Sequence, residues 1–367
     1  MPFPPELELA IACCRWPAGE ARDDAVRRWA EKSLDWAFFA DVVARHRVEG
    51  LVHDALRRAG SAPPEEIAER LAAEANGIAR RNLAFAAESK RIAAMLSGAG
   101  LRFLFVKGVT LNMLAYRTLA LKQARDIDLL VDAERYDKAC ALFERSGYSC
   151  SDPGPGRSSD EMRKWVKRVK HTVWVSREGI VVELHSHLTD NPQLLPRLSV
   201  DASLQIVEIA PGLTLPTLGK EALFSYLCVH GAAHAWSRLK WTADLAALIA
   251  DEGDELEQLY RQSQRLGAGR SSAQALLLCA RLFDTKLPPR LQRELEGDPV
   301  TRALVASALR AMVRGGAGRE LDDQPLGTAE IHLSHFFLGR GWRHKWAELK
   351  RKFSLLEARL KGLGAGA

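Results

Sequence analysis

One hexapeptide restricts this chain more than any other feature: Asp126-Ile127-Asp128-Leu129-Leu130-Val131. On a strand, residues two apart leave the same face. Asp126 and Asp128 then project side by side while Ile127 and Leu129 enter a core. Acidic residues are depleted in strands, and two adjacent carboxylates repel each other. A divalent cation between them removes that cost and finds hard oxygen ligands there. A strand with one solvated face is the plain alternative.

The surroundings sharpen the choice. Arg102-Phe103-Leu104-Phe105-Val106 is short, apolar and β-prone, and residues 109–117 have helical character. Between them lies Lys107-Gly108, nineteen residues before Asp126. Glycine permits close backbone approach to a phosphate, the helix after it offers free N–H groups, and Lys107 can pair with phosphate or with the acids. A helix is expected from about Ala133 to Arg145, then a Pro/Gly/Ser loop from Ser151 to Arg157. His171–Val175 and Ile180–Leu188 form a predicted hairpin turning at Arg177-Glu178-Gly179. Within it Glu183 repeats the apolar–acid–apolar pattern. If this strand lies beside the first acidic one, Asp126, Asp128 and Glu183 can hold one or two magnesium ions. An edge-strand acid paired with a lysine is the alternative for Glu183.

Together these segments resemble the nucleotidyltransferase superfamily. Its core has a glycine-containing turn, an Asp-x-Asp strand and a third acid on a later strand. The chain looks most like the uncharacterised bacterial families with Lys-Gly in place of the common Gly-Ser, often encoded near peptide or polysaccharide biosynthesis genes. Abortive-infection-type toxin nucleotidyltransferases have a similar turn. The resemblance implies that Lys107 and Gly108 form the nucleotide-side turn, Asp126 and Asp128 the metal pair and Glu183 the third acid. His46, Asn82-Leu83 and the run His230…His234-x-Trp236-x-Arg238-Leu239-x-Trp241…Asp244 extend the likeness over most of the chain.

The rest of the sequence supplies the frame. Residues 1–98 read as an N-terminal helical region, 99–205 as a nucleotidyltransferase core and 206–367 as a C-terminal helical domain. The expected fold is α+β: a small mixed sheet with helices, flanked by helical regions. A long helix is predicted from Pro64 to about Ser97, with Ile67, Leu71, Ile78, Leu83, Phe85, Ile92 and Met95 as core positions. From about Pro216 the pattern is helical, with breaks near Gly267, Pro288, Gly297 and Gly315. No repeat with a solenoid period occurs. A net charge of +6 suits a phosphate-bearing partner without demanding nucleic acid. Six irregularly spaced cysteines, none in C-x-x-C, read as reduced buried thiols and not as a zinc site. The N-terminus lacks a signal-peptide pattern and no segment spans a bilayer, so a cytoplasmic protein is expected.

Two further segments carry chemistry. Leu223–Leu248 reads as helical, with His230 and His234 one turn apart. A zinc pair is possible there, but no H-E-x-x-H is present. A structural cluster with Trp241 fits better, or a wall of the site in which His234 or Arg238 contacts nucleotide or acceptor, with Asp244 anchoring Arg238. Gly339–Lys361 holds eight Lys/Arg against two Glu, with Trp342, Trp346, Leu349, Phe353 and Leu356 at helical spacing. A terminal helix docking its apolar face on the body is expected. Contact with an anionic membrane or RNA is the other use of such a helix.

The expected activity is magnesium-dependent transfer of NMP from an NTP to a hydroxyl or phosphate acceptor, with ATP among the candidate nucleotides. Without an RNA-recognition motif, the acceptor is expected to be a small molecule, sugar or peptide of a biosynthetic pathway. A toxin-like enzyme modifying tRNA or protein, and a degenerate nucleotide- or partner-binding protein, are the alternatives.

Overall fold

The computed structural model describes residues 3–314 and 328–360, without the side chains of Arg168 and residues 355–360. The break expected at Gly315 lies outside the described residues, as do Leu356's side chain and Lys361.

The N-terminal region is helical: α1 (Pro5–Cys13), α2 (Glu20–Ala30), α3 (Trp36–His46), α4 (Glu49–Ala59) and the 34-residue α5 (Glu65–Gly98). Asp35 caps α3 by accepting from the Phe38 N–H, and Gly60 ends α4 in the left-handed conformation. Along α5, Ile67, Leu71, Ile78, Phe85 and Ile92 are buried as expected, and Met95 is half-buried. Leu83 is the exception: it lies on the solvent side, 61% exposed, next to the fully buried Asn82.

The middle of the chain alternates: β1 (Phe103–Phe105), α6 (Val109–Tyr116), β2 (Ile127–Val131), α7 (Tyr136–Arg145), β3 (Ser149–Asp152), α8 (Ser159–Val169), β4 (His171–Val175), β5 (Val181–His185), β6 (Leu204–Ala210) and β7 (Leu213–Leu218). The sheet has seven strands in the order β3-β4-β5-β2-β1-β7-β6. The predicted hairpin is present as antiparallel β4 and β5, and β5 lies parallel to β2. Three features depart from expectation. The proposed loop from Ser151 begins inside β3. The capping box of Ser158 and Glu161 starts α8, a helix not anticipated. The β6–β7 hairpin carries the sheet past residue 205 and to Leu218, where helix was expected from Pro216; tertiary pairing with β1 holds it.

The C-terminal part is helical: α9 (Lys220–Ala233), α10 (Leu239–Leu248), α11 (Leu256–Leu266), α12 (Ser271–Phe283), α13 (Pro289–Gly297), α14 (Pro299–Arg314), α15 (Ala329–Leu338) and α16 (Trp342–Leu360). The sheet separates two apolar cores. One face packs Ile127, Leu129, Val182 and Leu184 with Phe85, Ile92 and Phe143. The other contributes Leu104, Val106 and Leu130 to a core shared by the N-terminal helices and α9–α14. The two flanking helical regions thus pack on each other; the Arg45 guanidinium donates to the carbonyls of Ala311 and Met312 at 3.0 and 2.7 Å.

His46 sits at this junction, 1% exposed, its Nδ1 accepting from the Leu239 N–H at 2.9 Å. Burial, aided by Arg45 and Arg238, lowers its pKa from 6.5 to about 3. The folded protein therefore holds His46 neutral where the unfolded chain takes up a proton. His46's contribution to stability is complete above pH 6.5 and is lost as pH falls toward 3. In urea unfolding, the loss of stability between pH 7 and pH 5 should be smaller by roughly 2 kcal/mol in His46→Gln than in wild type. Equal losses in both would show that His46 is not held neutral.

The expectation for the C-terminal helix is overturned. α16 does not dock its apolar face: Trp342, Trp346, Leu349 and Phe353 point outward, while His344 and Glu348 are buried against the body. Buried polar partners decide this orientation. Asn191 donates to Glu348 at 3.2 Å, and His344 Nε2 lies 2.8 Å from the His335 carbonyl.

Candidate functional site

The register of three strands assembles the site. Asp128 pairs with Glu183 across β2 and β5, and His171 pairs with His185 across β4 and β5. Cross-strand partners share a face, as do residues two apart along a strand. Asp128, Glu183, His185 and His171 therefore belong to one face, opposite Ile127, Leu129, Val182 and Leu184; Asp126 lies in the bend just before β2, not on the strand as expected, and is still close enough to feel the charges of Asp128 and Glu183. The three acids expected from sequence are brought together, and two histidines join them. The sequence does carry a signal for His185, since it alternates with Glu183 on one strand. His171 has none without knowledge of the hairpin register.

Lys107-Gly108 turns β1 into α6. Gly108 has φ 68°, a conformation that side chains resist, and a Cβ there would lie 3.5 Å from the Asp126 carbonyl. The turn puts Lys107 Nζ 3.0 Å from Asp128 Oδ1. His185 Nε2 lies 3.3 Å from the same oxygen and 3.2 Å from Glu183 Oε2. Asp128 Oδ2 is buried without a hydrogen-bond partner.

The charges are unequal in consequence. Burial and then the Asp128 charge push the Asp126 carboxyl up to about 6. Burial also opposes ionisation of Asp128, but Lys107 and His185 outweigh it and hold that carboxyl far below the usual range. Glu183 is likewise buried, and its hydrogen bond to His185 carries the balance downward. These residues fit a divalent cation: an orphaned buried carboxylate oxygen, three hard oxygen donors and a repulsion that a cation would relieve. Among the described residues, His171, Glu183 and His185 also form a group whose donor atoms lie within 4.8 Å of one another and could hold a metal.

The segment leading into β2 is pinned from behind. Asn82 on α5 accepts from the Ala124 N–H at 2.9 Å and donates to the carbonyls of Leu119 and Lys122 at 2.5 and 2.7 Å. Asn112 donates to the Lys122 carbonyl as well, at 2.8 Å. Lys122 in turn meets Asp244 at 2.9 Å, and Asp244 accepts from the Tyr116 hydroxyl at 3.0 Å. The cleft that Asp126, Asp128 and Asp244 line also carries Arg47, Lys107, Lys122, Arg125 and Lys240, with Gly108, His230 and Trp241; Glu183 is not in its lining. Burial, then Lys122 and Arg47 nearby, bring the Lys240 ammonium down to about 7. Five basic side chains against three acids around one cavity leave an excess of positive charge that suits an anion. Arg47 and Lys122 were not singled out from the sequence, since only the packing of three distant segments brings them there.

The histidine–tryptophan segment is not one helix. It breaks between α9 and α10, with Ala235 and Trp236 at positive φ. His234 caps α9 and stacks on Trp241, ring centroids 4.7 Å apart and nearly parallel. It lines a neighbouring cavity with His230, Asp190 and Arg351, and is not in the lining of the cleft. Arg238 precedes α10 beside His46 and is likewise outside the cleft lining, where Lys240 stands instead.

A mixed sheet gathering carboxylates on one face, beside a glycine turn and under a basic cleft, defines the class: this is a nucleotidyltransferase fold. The model of the family described as "Uncharacterised nucleotidyltransferase" matches residues 32–284, well over half the chain. The chain belongs to that family. No curated protein sequence matches it.

Proposed function

We propose that the protein transfers a nucleoside monophosphate from an NTP to a hydroxyl or phosphate acceptor, using magnesium held by Asp126, Asp128 and Glu183. The observation that carries this is Asp128 paired in register with Glu183, with one of its oxygens buried and unsatisfied. When bound, the metal supplies charge neutralisation at the phosphates and activates the acceptor. The chain's own residues bind and orient. Lys107, Lys122 and Lys240 meet the phosphate oxygens, and the Gly108 turn lets backbone approach them. Lys107 and His185 keep Asp128 ionised and fixed. The acceptor oxygen attacks the α-phosphorus, the bond to the β-phosphate oxygen breaks, and pyrophosphate leaves with the electron pair. The acceptor's proton passes to a carboxylate or to water. Catalysis is positioning and electrostatics, as phosphoryl chemistry requires.

The acceptor we favour is a small molecule, sugar or peptide. The cations named above converge on one cleft, Lys122 buried, Arg47, Lys107 and Lys240 half-buried and Arg125 exposed. The test is incubation with labelled NTPs, magnesium and candidate acceptors, beside equilibrium NTP binding. Lys240→Ala is expected to weaken NTP binding by roughly 10- to 100-fold, the size of one charge-assisted contact to phosphate. Absence of both labelled product and NTP binding would overturn the proposal.

A further inference from the structure

α16 turns its polar side to the protein and its apolar side to solvent. Trp342 and Phe353 are 69% and 62% exposed, whereas His344 and Glu348 are each 2% exposed. At about 100° per residue, Trp342, Trp346, Leu349 and Phe353 fall within roughly 60° of one another, a single narrow stripe. The exposed Arg343 and Lys350 flank it on one side and Lys345 on the other. Lys350 lies over the Trp346 ring at 5.5 Å. Glu348 is the helix's only acid among the described side chains, and it is held inward by Asn191 and Arg351. Among the described side chains, the outward face thus carries aromatics and cations with no compensating negative charge.

An uncovered stripe of large apolar groups marks an interaction surface, and its borders say what covers it. We propose that this face docks on an anionic phospholipid surface, with α16 lying in the plane of the interface. Tryptophans sit well at headgroup depth, and flanking lysines and arginines meet lipid phosphates. A second copy of the same face would set Arg343, Lys345 and Lys350 against like charges. RNA would need a groove with stacking platforms, whereas this stripe is convex and continues through aliphatic Leu349. No helix among the described residues is long and apolar enough to cross a membrane, so the contact is peripheral.

Sedimentation with vesicles tests this on the full chain. Binding is expected to mixed phosphatidylglycerol–phosphatidylcholine vesicles and not to phosphatidylcholine alone, with reversal by salt. Replacing Trp342, Trp346 and Phe353 together by alanine should reduce binding by at least about tenfold while leaving the circular dichroism melt unchanged, because these side chains are exposed. A blue shift of tryptophan emission should accompany binding in the wild type. No vesicle binding, or equal binding by the triple variant, overturns the proposal. So does a self-association or RNA affinity that the triple variant abolishes in a protein indifferent to lipid.

Discussion

Asp126→Asn should abolish metal-dependent nucleotidyl transfer, by at least about a thousandfold, without loss of stability. Asp128→Asn should abolish it equally and also destabilise the protein by roughly 3 kcal/mol. The two carboxylates are neighbours in one cleft, yet their electrostatic situations are opposite. Asp126 is raised to about 6 by burial and by Asp128, so removing its charge relieves repulsion. Asp128 is the partner of Lys107 and His185, so neutralising it takes the nearest counter-charge from a largely buried ammonium and leaves it only the more weakly acting Asp126 and Glu183. The cost lies at the low end for broken buried pairs because the Lys107 side chain keeps 18% exposure. Denaturant melts in chelator separate the two variants, and labelled-NTP assays compare them. Magnesium should raise the melting temperature of wild type and not of Asp126→Asn. Transfer retained in Asp126→Asn, or equal melts for both variants, would remove Asp126 and Asp128 from these roles.

Asn82→Leu should cost roughly 3–4 kcal/mol and reduce transfer by about a hundredfold, though Asn82 is not in the lining of the cleft. Its three hydrogen bonds hold the backbone of Leu119, Lys122 and Ala124. A leucine leaves the buried Ala124 N–H without its acceptor, removes the donor to the part-buried Leu119 carbonyl, leaves the Lys122 carbonyl to Asn112 alone, and so loosens the segment that delivers Lys122 and Asp126. Amide exchange between residues 117 and 126 should accelerate in the variant, and denaturant unfolding gives the stability. Unchanged exchange there would show that Asn112 and neighbouring packing suffice to order the segment.

Both results depend on how far local pattern constrains structure. Apolar–acid alternation is a period-two signal, and it identified β2 and β5 as strands with their acids on one face. It could not say that these strands are neighbours. That pairing follows from β4 and β5 forming a hairpin whose second strand lies against β2 in parallel. The Pro/Gly/Ser composition from Ser151 predicts loop over the end of β3, and the helical pattern from about Pro216 predicts helix over the end of β7; sheet pairing overrides both. The Leu223–Leu248 segment has continuous helical composition. It breaks where Trp236 buries itself against Gly231, whose missing side chain leaves the ring room: a Cβ there would lie 2.5 Å from it.

α16 marks the limit of pattern from the other direction. Its amphipathic spacing was correctly legible, but which face turns inward was not, because that depends on the buried polar partners offered by Asn191 and His335. By itself, the sequence determined the family, the α+β class and the acids with their Lys-Gly turn, since each of these lies in local spacing and residue chemistry. The tertiary structure alone decided the rest: the joining of Glu183 to Asp128 by register, the entry of His171 and His185, the convergence of Arg47, Lys122 and Lys240 on one cleft, and the outward face of α16. Each depends on contacts between segments far apart in the chain, where packing and the satisfaction of buried polar groups outweigh local preference.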